Sequence, residues 1–412
     1  MVIILIVSLA IIRRIDLKSK VNLLGIFLPL VLFGLIMIMS SWRTPMWMDE
    51  YVFYKLSSNL PSYSTSSNWF YEDRPELLNP SVTWEDKSSV IFDKKATFQW
   101  IYDNDIYPHT PLAPILVWPL VKTLNIMADN EIIPHIEEQE GYPSISKNIT
   151  DKELTDILKT RHAETITKIL RIVPILLFVL AMFLAYKVMN KRVGNKAFFF
   201  AVPIAAGMQL LIGAGLFYWD VFMLFFFMLT WYLMETNHPK WAFLSACCMV
   251  NTKMFIGLLF LIPLIVKNRK MFFAAFSLIP YYIVTICVTG DPFFLITHYG
   301  TGGGMASHNY VYTLYDFNGY MALFISLGIP FFLAMTVPLF WRIKKYPEYI
   351  ALWICGMIYA WGCGMGITHL SCLLYVGVLI FPLVVKEFGL YDKLSKLINK
   401  FSPKEEVDEK IN

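Results

Sequence analysis

Charge is what this chain is short of. Asp, Glu, Lys and Arg make up 16% of its 412 residues, against 57% hydrophobic. A water-soluble domain keeps roughly a quarter of its residues charged, so this composition leaves too few charges to cover a folded surface in water. Cysteine offers no framework either. Cys247, Cys248, Cys287, Cys355, Cys363 and Cys372 all lie in or at the end of apolar runs, with no metal-ligand spacing and none in the long polar loop. They read as small buried side chains, which excludes a disulfide scaffold. No small-residue cleavage site follows the apolar residues 1–12, so that stretch is expected to be a marginal span or an interfacial helix. No internal repeat is visible, which argues against the two-halved architecture of many transporters.

What the chain does have is apolar blocks approaching the roughly 20 residues that cross a bilayer core. After the basic stretch Arg13, Arg14, Lys18 and Lys20, spans are predicted at 21–41, 167–186, 197–217, 219–234, 241–266, 271–289, 319–341, 349–363 and 369–386. Basic connectors favour the cytoplasm. Three connectors qualify: Lys187 to Lys196, Lys267 to Lys270 and Arg342 to Lys345. The tail from Lys386 is also lysine-rich. They share a side only if 241–266 is a hairpin of two short helices broken near Asn251, Thr252 and Lys253. That break also explains a lysine inside an apolar run. Residues 111–127 carry three prolines and Lys122, and a crossing there would invert the charge rule. They are therefore predicted to form a helix along the outer leaflet. Residues 42–166 become one large external loop, which holds the sequon Asn148-Ile149-Thr150.

The expected organisation is a first span in 1–41, the external loop 42–166, a transmembrane core 167–290, an external Gly/His loop 291–318, C-terminal spans 319–386 and a cytoplasmic tail 387–412. The fold class is an all-α polytopic membrane bundle of about ten spans, with juxtamembrane helices in the first loop. This threading gathers Asp49, Glu50, Tyr107 to Leu112, Asp220, Lys253, His298, His308 and His369 on the outer face. Ionisable groups at a membrane boundary cost free energy and are functional candidates by default. A carboxylate pair such as Asp49-Glu50 serves as a general base, a cation ligand or a solvated helix start.

Trp47-Met48-Asp49-Glu50, with Tyr54 and Leu56 after it, resembles the start of the first external loop in the GT-C glycosyltransferases. The branch it is most similar to is that of the dolichyl-phosphate-mannose protein mannosyltransferases and bacterial lipid-sugar transferases. Tyr107-Pro108-His109-Thr110-Pro111-Leu112 resembles that family's H-x-P-L segment. Tyr218-Trp219-Asp220-Val221 resembles its L-D-x-P start of a span, with the proline absent, and Asn251-Thr252-Lys253-Met254-Phe255-Ile256-Gly257 its T-K-x-x-G run. The likeness extends over residues 21–270. The acidic segment 128–166 is unusual for the family, and beyond 290 the likeness is architectural only.

The resemblance implies sugar transfer from a polyprenyl (dolichyl) phosphate to an acceptor hydroxyl or glycan on a protein, glycan or lipid. Asp49 would be the base, and Glu50 and Asp220 would position the sugar or the base. The phosphate leaving group needs a cation nearby, for which Lys253 and Lys55 are candidates, although Lys253 could equally snorkel to the interface. His109, beside Tyr107, would bond the phosphate, orient Asp49 or cap the helix after Pro111. His298 and His308 flank Gly300 to Gly304, a loop able to close over a substrate. That loop lacks the strand-and-helix setting of a nucleotide phosphate loop, and the two histidines make a poor metal pair. No metal or other cofactor is required, and a divalent cation between Asp49 and Asp220 stays open. The rival expectation is a lipid or glycan flippase. Membrane lipids are expected partners, and nucleic acid is not.

Overall fold

The structure is a computed structural model that describes residues 34, 50, 53, 54, 57, 58, 110, 112–136, 165–194, 215–289, 345–362, 367–390, 392, 393 and 396. Among the described residues it is helical and has no strand, as the all-α expectation required. The helices are α1 (Leu112–Asp129), α2 (Thr165–Val193), α3 (Trp219–Glu235), α4 (Pro239–Thr252), α5 (Met254–Lys267), a 3-10 segment (Arg269–Leu278), α6 (Ile279–Thr289), α7 (Pro347–Gly362) and α8 (Ile367–Glu387). The expected spans at 21–41, 197–217 and 319–341 lie outside the described residues, apart from the helical Gly34 and residues 215–217.

Two of these helices, α1 and α2, are long and apolar enough to cross a membrane. Helix α2 runs seven residues past its expected end, because Lys187, Met189, Lys191 and Arg192 are good helix formers and no Gly or Pro interrupts them before Gly194. Gly194 takes φ 81° and its amide donates to the Asn190 carbonyl at 3.1 Å, a glycine stop that satisfies an orphan carbonyl. Helix α1 is the segment expected along the outer leaflet. One face, with Ala113, Val117, Val121 and Leu124, is buried, while Ile115, Leu116 and Trp118 point outward.

The hairpin at 241–266 is present. Helices α4 and α5 have 14 residues each, and Lys253 between them is extended at φ −146°, ψ 94°. Each is about 21 Å long, short of a bilayer core of about 30 Å. A Cβ on Gly257 would lie 2.7 Å from the Val250 Cα and 2.9 Å from the Met249 carbonyl oxygen. In one straight helix those residues would stand two turns apart, so α5 folds back along α4, and glycine permits the approach. The 3-10 segment covers the pair. Pro280 has no amide to offer the Phe276 carbonyl, which accepts from Ile279 in an i→i+3 bond instead.

The core runs the length of the bundle through Phe178, Met182, Phe227, Trp231, Phe260, Leu264, Tyr349 and Leu379. Outward flanks are apolar as well: Leu176, Leu180, Trp241, Ile262, Phe272 and Ile283 are all exposed. The expectation of buried cysteines holds for Cys355 and fails for Cys287, which is exposed on the apolar flank of α6; Cys247 and Cys248 are intermediate.

Charges collect at two poles. At one, Arg192 at the end of α2 bonds Glu235 of α3 at 2.6 Å and Glu348 of α7 at 3.3 Å. Lys267 of α5 reaches the same Glu235 at 2.5 Å, and Lys386 of α8 donates to the Arg192 carbonyl. Lys345 pairs with Glu387 at 2.5 Å, and that hydrogen bond, helped by Tyr346, raises its pKa above the usual lysine value. The three basic connectors and the lysine tail, expected on one side, therefore contribute residues to a single end of the bundle. At about 1.5 Å per residue, Arg171 lies about 32 Å from Arg192 along α2, at the other pole.

Candidate functional site

The second pole is built where α3 begins. Residues 215–218 form a turn, and Tyr218 is extended at φ −149°, ψ 159° before the helix starts at Trp219. No side chain caps this end, and Asp220 supplies the negative charge that a helix N-terminus favours. Its Oδ1 accepts a hydrogen bond from Lys253 Nζ at 2.7 Å. Lys253 occupies the break between α4 and α5, where no helical turn screens it, and its ammonium also sits 4.7 Å from the Tyr218 ring centroid. Both members of the pair are buried, at 4% and 1% exposure. Snorkelling, the alternative for Lys253, does not occur.

A second pair lies beside it. Glu50 Oε1 accepts from Arg171 Nε at 2.8 Å and from the Phe217 amide at 2.7 Å, while Oε2 accepts from Arg171 Nη2 at 2.5 Å. Glu50 and Arg171 are both fully buried. A buried charge persists only when paired and hydrogen-bonded, and the forked guanidinium meets that demand at both carboxylate oxygens. Phe217 and Asp220, each engaged by one pair, stand three residues apart, so their Cα atoms are within about 11 Å. The two pairs form one polar centre within an aromatic cradle. The Phe53 ring packs at 4.6 Å from Phe217, 4.5 Å from Trp219 and 5.7 Å from Phe222.

Residues 50, 53, 54, 57 and 58 are helical and share one face at i, i+3, i+4 spacing. That face is fastened to α1: the Tyr54 hydroxyl donates to Asn125 Oδ1 at 2.6 Å, and Asn125 Nδ2 donates to Ser58 Oγ at 3.2 Å. Thr110, just before α1, is buried, and so is Thr167 in the first turn of α2. Neither hydroxyl has a hydrogen-bond partner among the described residues.

Of the residues singled out from sequence, Glu50, Asp220 and Lys253 come together here. Asp49, Lys55, Tyr107, His109, His298 and His308 lie outside the described residues, as does the His369 side chain. Among the described residues no group of three His, Cys, Asp or Glu side chains could hold a metal ion. Sequence reasoning passed over Arg171, Asn125 and the Phe217 amide. For Arg171 a signal was present, a guanidinium inside the apolar run Ile169 to Phe178. Comparison with known proteins adds nothing to the geometry: no family model, curated protein or solved structure matches the chain.

Chemically, the pole offers an ammonium and a guanidinium in a water-poor setting, each bonded to a carboxylate. Such groups stabilise an anion far better there than in water. They are already oriented, so little reorganisation accompanies binding.

Proposed function

We propose that the chain is a multi-span membrane glycosyltransferase that moves a sugar from a polyprenyl phosphate to an acceptor hydroxyl at the non-cytoplasmic face. The observation that carries this reading is the convergence of Glu50, Tyr218, Asp220 and Lys253. They come from three of the segments that resemble the GT-C family and now form a single buried polar centre. A threading of about ten spans also accords with the apolar outer flanks and with the ion pairs gathered at two poles among the described residues. With the Arg192 pole assigned to the cytoplasm by its excess of lysine and arginine, the polar centre faces outward.

In this scheme Asp49, adjacent to the anchored Glu50, takes the proton from the acceptor hydroxyl as it attacks the sugar carbon. The lipid phosphate departs with the bonding electrons. Lys253 neutralises the charge that develops on it, and Asp220 keeps the ammonium in place. Glu50, bound at both oxygens, anchors the chain next to Asp49 in sequence.

The test is transfer of labelled sugar from polyprenyl-phosphate donors by purified protein and its Asp49→Asn variant. The variant is expected to insert and accumulate normally while losing transfer. Normal transfer removes Asp49 as the base, and no transfer by the parent from any such donor removes the reading altogether. Topology is tested separately, with single cysteines replacing Ile145 or Val193 and an impermeant maleimide applied outside. Labelling is expected at 145 only, and reaction at 193 overturns the orientation.

A further inference from the structure

The Arg192 pole contains two kinds of basic residue. Arg192, Lys267 and Lys345 are held by Glu235, Glu348 and Glu387. Lys240, Arg269 and Lys270 are exposed, and no carboxylate pairs with them among the described residues. Hairpin geometry brings these three together. Because α5 folds back on α4, the end of α5 returns to the start of α4, and the Lys267–Glu235 bond fixes that closure. Arg269 and Lys270, just beyond α5, therefore lie at the end where Lys240 opens α4.

Immediately beside these bases the surface turns aromatic. The 3-10 segment repeats every three residues, so its edges are well separated. Met271 and Ala274 occupy the buried edge, and Ser277 on the same side accepts from Asn251 of α4 at 2.7 Å. Phe272, Phe273 and Phe276 take the outer edges at 51%, 58% and 50% exposure. Their rings pack on one another at centroid distances of 5.6 to 6.1 Å. Trp241, next to Lys240, is 64% exposed. The result is a rim of cations above an apolar plate, continuous with the outer flank of the bundle.

We propose that this rim and plate seat an anionic phospholipid. Its phosphate headgroup lies against Lys240, Arg269 and Lys270, and its acyl chains lie on Trp241, Phe272, Phe273 and Phe276. The seat rests on the reading of the chain as a membrane protein but not on glycosyl transfer, and it is about 20 Å, one length of α4 or α5, from the polar centre along the bundle. A water-soluble partner would match the charges and leave the phenylalanine plate exposed. A neutral lipid would cover the plate and leave the bases unanswered.

The experiment uses full-length protein in detergent, titrated with phosphatidylglycerol and with phosphatidylcholine of the same chains, and counts retained lipid by native mass spectrometry. Each basic residue near an anionic surface changes affinity roughly fivefold at low salt. Phosphatidylglycerol is therefore expected to be retained about tenfold more strongly or better, with the difference falling as salt rises. R269Q/K270Q should erase most of that preference, and F272S/F273S should weaken both lipids while the preference survives. Equal retention of the two lipids overturns the proposal, as does a preference that persists in R269Q/K270Q. Displacement of phosphatidylglycerol by equimolar inorganic phosphate shows a plain anion site and overturns it as well. A chain that stays monodisperse without detergent defeats the membrane reading, and the seat with it.

Discussion

Replacing Arg171 by Met gives the sharpest test of the polar centre. The change keeps an unbranched apolar stem and deletes the guanidinium, so both hydrogen bonds from Arg171 to Glu50 vanish while the one from the Phe217 amide remains. Hydrogen bonds to a charged group contribute about 1.5–3 kcal/mol each, and breaking a buried ion pair from one side costs about 3–5 kcal/mol. Both members are fully buried, so no discount for solvent screening applies. We expect Arg171→Met to cost about 4 kcal/mol. Glu50→Gln should cost somewhat less, because the amide still accepts from Phe217. The double variant should recover a large part of the loss, since no unbalanced charge is then buried. Unfolding in mixed micelles with rising dodecyl sulfate, followed by tryptophan fluorescence, measures all three. A cost under about 1 kcal/mol for Arg171→Met, or a double variant no better than the worse single, would refute the claim that this pair is coupled and dry.

Two further outcomes follow from the packing. Gly257→Ala places a methyl carbon under 3 Å from backbone atoms of α4 that cannot rotate away, so the hairpin must open; a loss of about 3 kcal/mol or more is expected in the same unfolding assay, and a neutral result would show that the helices are not in this register. Tyr54→Phe removes one partly buried hydroxyl bond to Asn125 and should cost about 1 kcal/mol while leaving membrane insertion unchanged; full stability in this variant would show that the bond does not hold α1 in place.

Much of the fold was legible because it follows from polarity along the chain. The break at Lys253 could be placed because an ammonium in the middle of an apolar helix has no tolerable position unless the helix ends there. The shared end of the basic connectors came from the same kind of reasoning. Arg171 was missed because a base near the start of a span reads as an interface residue. Only the fold reveals that it is fully buried against Glu50, beside the turn at Phe217. The Tyr54–Asn125 bond joins residues 71 positions apart and has no local signature. The end of α2 was expected at Tyr186, where hydropathy falls, although the backbone has no reason to stop until Gly194.

Arg192 has a consequence for how the protein is made. Its partners are 43, 156 and 194 residues further along the chain, so they leave the ribosome one after another. The first carboxylate can engage early, while the clasp through α7 and α8 has to wait for those later helices. During synthesis this end of the bundle stays incompletely fastened until α7 and α8 have emerged.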